Sequence, residues 1–354
     1  MTAKFKYFTR LKLHGVSGLW LWTTVLAFLM IVLNSPGCSS PEKKLKEASN
    51  FYTKGRESYL LFNPKGAEEA IHLYEKAIDI DDNYAPAYAG LGEAYSFLGL
   101  WNQQSFIEKD NKLLEKSLSY SQKALELNQN SSVSRRALAA SYRGLGKFED
   151  AREEAQKAIK LNPNDAEAYY ILWTVAGAEP DSKYIKKALE LNPNLSIAYN
   201  DLGYVHYTKG NYDKAIDDLN RAIELNPGLI QAHVNLGLTL AAQKKFKESK
   251  EQFRTAIKLN PDYMLGHYNL GIVLASLGNY DEAISEFEKA IDISPDFPEP
   301  HIALAFAYES KGDNNNAVKQ YNKFISLASA DKAKYGKIVA EAKDRIKRIN
   351  AKGS

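Results

Sequence analysis

The chain has 354 residues, a quarter of them charged, and a formal charge of only +3; length alone would suggest two or three globular domains. Lys4, Lys6, Arg10 and Lys12 precede Cys38 with no acid among them. Removing these four charges from +3 leaves −1, so the body of the chain has no basic surplus for nucleic acid. Cys38 is the sole cysteine, which excludes an intrachain disulfide and a zinc site built on thiolates.

Residues 1–37 open with those cations, continue as the apolar run LWLWTTVLAFLMIVL at 19–33, and close on Asn34-Ser35-Pro36-Gly37 before Cys38. A basic start, an apolar core and small residues at its end describe an export signal. A Cys placed just after small residues resembles the lipobox of bacterial lipoproteins, although Ser35 stands where that family prefers Leu. The resemblance implies that Cys38 is lipidated, begins the mature chain and tethers it to a membrane of the bacterial cell envelope, facing the periplasm. Two other readings remain: simple secretory cleavage after Gly37, and an uncleaved anchor, for which the apolar run falls short of the roughly 20 residues of a spanning helix. Residues 38–47 then read as a polar tether.

Beyond it the chain repeats itself. Pro193, Pro227, Pro261 and Pro295 stand 34 residues apart, with Pro163 30 residues before the first of them. The unit AYNDLGYVHYTKGNYDKAIDDLNRAIELNP at 198–227 returns as AHVNLGLTLAAQKKFKESKEQFRTAIKLNP and as GHYNLGIVLASLGNYDEAISEFEKAIDISP. A fixed period of this size marks a stacked array whose units bury their apolar faces only against their neighbours. In each unit Ala198, Tyr199, Leu202, Gly203 and His206 paint one face of a first helix, and Gly210-Asn211 breaks it. A second helix follows with Ala215, Ile216, Leu219, Ala222 and Ile223 facing inward, and Asn226-Pro227 stops it, since Pro cannot continue a helix.

In chain order, residues 48–163 hold units 1–3, with extra residues near 100–115 at LWNQQSFIEKDNK. These should lengthen the inter-helix loop or the second helix, with Trp101 and Phe106 covering the local core. Residues 164–193 are unit 4, four residues short at about GAEPDSK, with Trp173 in the column that elsewhere holds Gly203, Gly237 and Gly271. A bulky ring there should push its helix away and bend the array into two lobes. Residues 194–330 hold units 5–8. Residues 331–354, with eight Lys or Arg against three Asp or Glu, read as an amphipathic capping helix and tail.

The column Leu91-Gly92, Leu138-Ala139, Leu172-Trp173, Leu202-Gly203, Leu236-Gly237, Leu270-Gly271 and Leu304-Ala305, with the recurrent aromatics, alanines and prolines around it, resembles the tetratricopeptide repeat over roughly residues 48–330. The resemblance implies an all-α fold: a right-handed superhelical solenoid of about eight helix-turn-helix repeats, with a concave face that holds partner segments.

No phosphate-binding glycine loop, HExxH or nucleophile elbow is present, so a non-enzymatic protein without cofactor or metal is expected. His233, His267 and His301 share one column, a repeat apart, too far for common ligation at about 2 Å metal–nitrogen bonds. Three columns on the first helices point away from the core stripe: Tyr204, Leu238, Ile272 and Phe306; Asn200, Val234, Tyr268 and Ile302; and Tyr207, Ala241, Ala275 and Glu309. Their size suits a site for apolar side chains as well as packing between repeats. Beside them stands the row Asp201, Asn235 and Asn269. The resemblance implies that this row faces the groove, where an amide offers a peptide unit both donors and an acceptor. The Tyr204 column and this row should form one continuous strip. Only Arg136 and Arg143 supply inward cations, so capture of a free chain terminus is disfavoured. The expected function is a protein- or peptide-binding adaptor in assembly of an envelope complex, membrane-bound through Cys38, with no nucleic acid and no small-molecule substrate. A self-associating scaffold, the groove receiving another copy, is the alternative.

Overall fold

The computed structural model describes residues 40–104, 111–329 and 331–353, which form seventeen α-helices and no strand. Cys38, Phe106 and the apolar run at 19–33 lie outside the described residues. Among those described, no helix is long and apolar enough to cross a membrane. The helices pair as α1 (Pro41–Tyr59) with α2 (Pro64–Ile80), α3 (Ala85–Gln104) with α4 (Asn111–Leu127), α5 (Ser132–Gly144) with α6 (Phe148–Leu161), and α7 (Ala166–Val175) with α8 (Lys183–Leu191). Units 5–8 follow as α9 (Ser196–Thr208) with α10 (Tyr212–Leu225), α11 (Ile230–Ala242) with α12 (Phe246–Leu259), α13 (Met264–Ser276) with α14 (Tyr280–Ile293), and α15 (Pro298–Lys311) with α16 (Asn314–Ala328). Helix α17 (Lys332–Gly353) packs on the last pair through Tyr335, Ala342 and Ile349. The molecule is an all-α superhelical solenoid.

The local chemistry explains the regularity. A Cβ on Gly271 would lie 2.5 Å from a ring carbon of Phe287, so only glycine lets α13 and α14 approach this closely. Asn162, Asn192, Asn226 and Asn260 each end a second helix and accept, on Oδ1, the backbone N–H two residues on. That Asx turn is why an amide precedes the helix-stopping Pro. His233, His267 and His301 are buried; each donates from Nε2 to the carbonyl of Pro227, Pro261 or Pro295, and meets Gln252, Glu286 or Gln320 through Nδ1. They are struts between the two helices of a unit and the turn before it.

Three expectations need correction. The stretch read as a tether is helical from Pro41, because Ser40 caps α1 by accepting from Lys43 N–H and Pro41 sits in the first turn, where its missing donor costs nothing. The extra residues of unit 2 lengthen the first helix as well as the second: α3 has 20 residues and α4 17, against 13 and 14 in unit 5. Trp173 does not force its partner helix away. Unit 4 is shortened to helices of 10 and 9 residues, and the ring fills the vacated space, 1% exposed, its indole N–H donating to Glu179 carbonyl at 2.8 Å.

A further difference concerns Trp101, which leaves its own unit. It is buried against Ile230, Val234 and Tyr263, with its ring 5.4 Å from that of Tyr263. Phe97 lies one turn before it, and Phe62, from the turn between α1 and α2, is buried with Ala222, Leu229 and Ala232. Asn226 Nδ2 donates to Leu61 carbonyl at 2.9 Å across this seam. Phe62 holds a φ of 47°, a left-handed conformation costing an L-residue roughly 1–2 kcal/mol, which burial of the ring offsets. The first two units thus clasp units 5–7, and the superhelix closes on itself.

Candidate binding groove

The clasp turns the concave face into a partly open cavity of about 870 Å³. Its walls come from the first helices of units 2–7 and from the α1–α2 turn. Apolar surface is supplied by Tyr59, Phe62, Phe97, Leu100, Trp101, Tyr170, Ile197, Val234 and Tyr263, and polar groups by Ser96, Arg143, Thr174 and Gln231. Of the residues singled out from sequence, Asn200, Asp201, Tyr204, Asn235, Leu238 and Asn269 line it. Tyr268, Ile272 and Phe306 do not. They line a separate apolar pocket of about 210 Å³ between units 7 and 8, with Ile302 and Phe287. The expected single strip is therefore divided. Tyr207 reaches neither; its ring packs between Tyr204 and Tyr212, each 6.1 Å away. The Asn200 column is largely contact between repeats, for Asn200, Val234 and Ile302 are all buried. Burial pushes the Tyr268 hydroxyl up to about 12.

The polar row is wired rather than free. Asn235 Nδ2 donates to Asn200 Oδ1 at 3.0 Å, and Asn200 Nδ2 to Asp201 Oδ1 at 2.9 Å. Tyr170 hydroxyl donates to Asp201 Oδ2 at 2.6 Å. Asp201 has spent both oxygens; burial raises its pKa, against the opposing pull of the Tyr170 hydrogen bond and the Arg143 charge. Asn235 keeps its carbonyl and one N–H. The Asn269 side chain makes no hydrogen bond among the described residues, and Gln231 Oε1, one turn from Asn235, is buried without a partner. Arg143 lies over the Tyr170 ring at 5.7 Å and donates to Thr174 Oγ1 at 3.4 Å, while its Nε has no partner.

Arg136, the other inward cation, is not available to a ligand. Its Nε donates to Glu93 at 2.7 Å and its Nη1 to Asp165 at 3.0 Å. Arg56 joins the same node, donating to Glu93 at 2.6 Å and pairing with Glu167. Burial pushes Glu167 up, but Arg136 and Arg56 overcome it and hold the carboxyl at about 2. This node ties α1, α3, α5 and α7 together across four units. Nothing in the repeat period foretells it, since its five members are spread over four units, with only Asp165 and Glu167 sharing one.

Tetratricopeptide-repeat models match residues 134–165, 196–229, 234–298 and 274–342, in the same register as the helical pairs. The chain belongs to the tetratricopeptide-repeat family. Hsp70-Hsp90 organizing protein 3 of Arabidopsis thaliana is 35% identical to it over 75 residues, and Hsp70-Hsp90 organizing protein 1 of Glycine max 36% over 75. Those matches take in 20% of this chain and only 13% of either relative. Among solved structures, the crystal structure of the APC/C hetero-tetramer Cut9-Hcn1 is similar over 92% of this chain and 59% of the matched one, with a TM-score of 0.63 at 18% identity. PilW, a type IV pilus biogenesis factor, is similar over 57% of this chain and 94% of its own, with a TM-score of 0.50 at 15% identity. At such identities the likeness concerns the fold of these tetratricopeptide-repeat proteins.

Proposed function

We propose that this tetratricopeptide-repeat protein holds an extended segment of a partner protein in the cavity closed by the clasp, and that it does so at the bacterial cell envelope, anchored through a lipidated Cys38. One observation carries the binding reading: aromatic walls surround side-chain amides with hydrogen-bonding capacity to spare, in part at Asn235 and Gln231 and in full at Asn269. Large apolar side chains would occupy the walls, and backbone N–H and C=O groups would satisfy the amides. The leader sequence, basic then apolar then small before Cys38, supports the anchoring. A second acyl chain at the same end would make that anchor stable, since a single chain holds only marginally. The role that follows is non-enzymatic: keeping one component of an envelope complex in place during assembly.

A photo-crosslinking residue at Leu238 or Asn269 in living cells tests the binding. Discrete protein adducts are expected from these two positions, and none from Lys250 on the outer helices. Equal yields from inside and outside would refute the groove reading. The same cells carrying Cys38→Ser should lose the membrane-fraction signal while the adduct chemistry persists in the soluble fraction.

A further inference from the structure

The side chains that close the superhelix are also walls of the site. Phe62, Phe97 and Trp101 reach from units 1 and 2 to Ile197, Val234 and Tyr263 in units 5–7, and all six line the cavity. Each side of the clasp is tied within itself. The node of Arg56, Glu93, Arg136 and Glu167 makes one body of units 1–4. Asn200 with Asn235, Arg254 with Glu282, and Lys311 with Asp281 join unit to unit through 5–8. Between the two bodies lies the junction of units 4 and 5. Helix α8 has nine residues and barely touches α9, whereas every other second helix lies along the first helix that follows it. Side chains make this junction instead. Tyr170 hydroxyl donates to Asp201 at 2.6 Å, Lys209 to Glu179 at 2.5 Å, and Leu195 and Ala198 share an apolar cluster with Trp173. An array coupled through neighbours gives way at its slightest junction, and a contact made by side chains lets two bodies turn where packed helices would not.

We infer that units 1–4 and 5–8 are two arms hinged between α8 and α9, and that the seam of Leu61 and Asn226 latches them shut around the held segment. This rests on the segment-binding reading above and specifies how that same site is governed. A segment touching Phe62 or Trp101 on one arm and Val234 or Asn235 on the other is bound best when the arms are shut. It therefore draws the latch closed, and the latch in turn holds the segment, since such coupling is reciprocal. Asn226 does not line the cavity. Its hydrogen bond to Leu61 carbonyl, between residues 165 apart in the chain, acts on the segment only through the hinge.

Double electron–electron resonance on the full-length Cys38→Ser chain in detergent tests this, with spin labels on introduced cysteines. One pair, Lys65→Cys with Glu224→Cys, straddles the seam; a second, Lys65→Cys with Glu149→Cys, lies within the first arm, and all three positions are exposed. The seam pair should show a small share of a longer distance beside the main one, and the arm pair a single distance. Asn226→Asp keeps the oxygen that accepts Gly228 N–H and removes only the donor to Leu61. It should raise the longer-distance share about tenfold, the change that about 1.4 kcal/mol brings, and leave the arm pair unmoved. In chains carrying a photo-adduct at Leu238 the longer distance should vanish. A single seam distance in both the parent and Asn226→Asp would overturn the inference. A longer distance that survives in the adduct would overturn it too, with segment binding left standing. If no adduct forms at Leu238, the binding reading fails and the latch has nothing to close on.

Discussion

Replacing Arg136 with Met isolates the node that ties the first four units together. The guanidinium is almost fully buried, and it holds two carboxylates, Glu93 and Asp165, that are themselves only 3% exposed. Met keeps the volume and removes the charge, leaving Asp165 without an ion-pair partner among the described residues, and Glu93 and Glu167 with Arg56. Removing one member of a buried pair costs about 3–5 kcal/mol, because the remaining charge stays desolvated. Arg56 moderates the loss, which should sit near the lower end of that range. The pH dependence gives an independent reading. Glu167 is held down to about 2 in the folded chain, so it contributes stability that is fully present above its ordinary pKa and is lost as pH falls from about 5 towards 2, roughly 3 kcal/mol in all. Urea unfolding at a series of pH values should show this slope in the parent and a shallower one in Arg136→Met. A stability loss below about 1 kcal/mol with an unchanged slope would mean that water screens the node, as it does surface pairs, and the reasoning would fail.

Two other substitutions probe the architecture. Trp101→Ala should cost about 3–5 kcal/mol and enlarge the radius of gyration in X-ray scattering, since the ring bridges units 2 and 7; an unchanged radius would show that the clasp is not what closes the superhelix. Lys244 has a φ of 60° at the turn where Gly210, Gly278 and Gly312 stand in the neighbouring units. Lys244→Gly should therefore raise stability by about 1 kcal/mol, measurable as a higher urea midpoint, and a lower midpoint would contradict the strain assigned to that turn.

The repeat architecture was legible in the sequence because a 34-residue period forces equivalent residues into equivalent places. Gly203, Gly237 and Gly271 announced the close approach of paired helices, and Asn-Pro the end of each unit. The same logic failed wherever structure depends on contacts between distant units. Phe62 and Trp101 look like ordinary aromatics in irregular stretches, and only the pitch of the superhelix decides that they meet Leu229 and Tyr263. Trp101 even stands in the aromatic column of Tyr212, Phe246 and Tyr280, ten residues after Leu91 as they are after Leu202, Leu236 and Leu270, so its place in the repeat marks it as serving its own unit. The groove row was half legible. Asn235 and Asn269 face the cavity as their column requires, but the spacing could not show that Asn200 and Asp201 would spend their hydrogen bonds on each other and on Tyr170.

The seam between Leu61 and Asn226 has a consequence for how such a chain can change. Open arrays tolerate gain or loss of whole units, since each touches only its neighbours. Here the turn before α2 must land on the turn before α11, and the angle between them is set by the units that intervene. Duplicating or deleting a single one would carry the two surfaces past each other. The copy number between the first and sixth units is locked, while units added after the eighth would leave the seam untouched, so lineages of this chain should vary in length only at that far end.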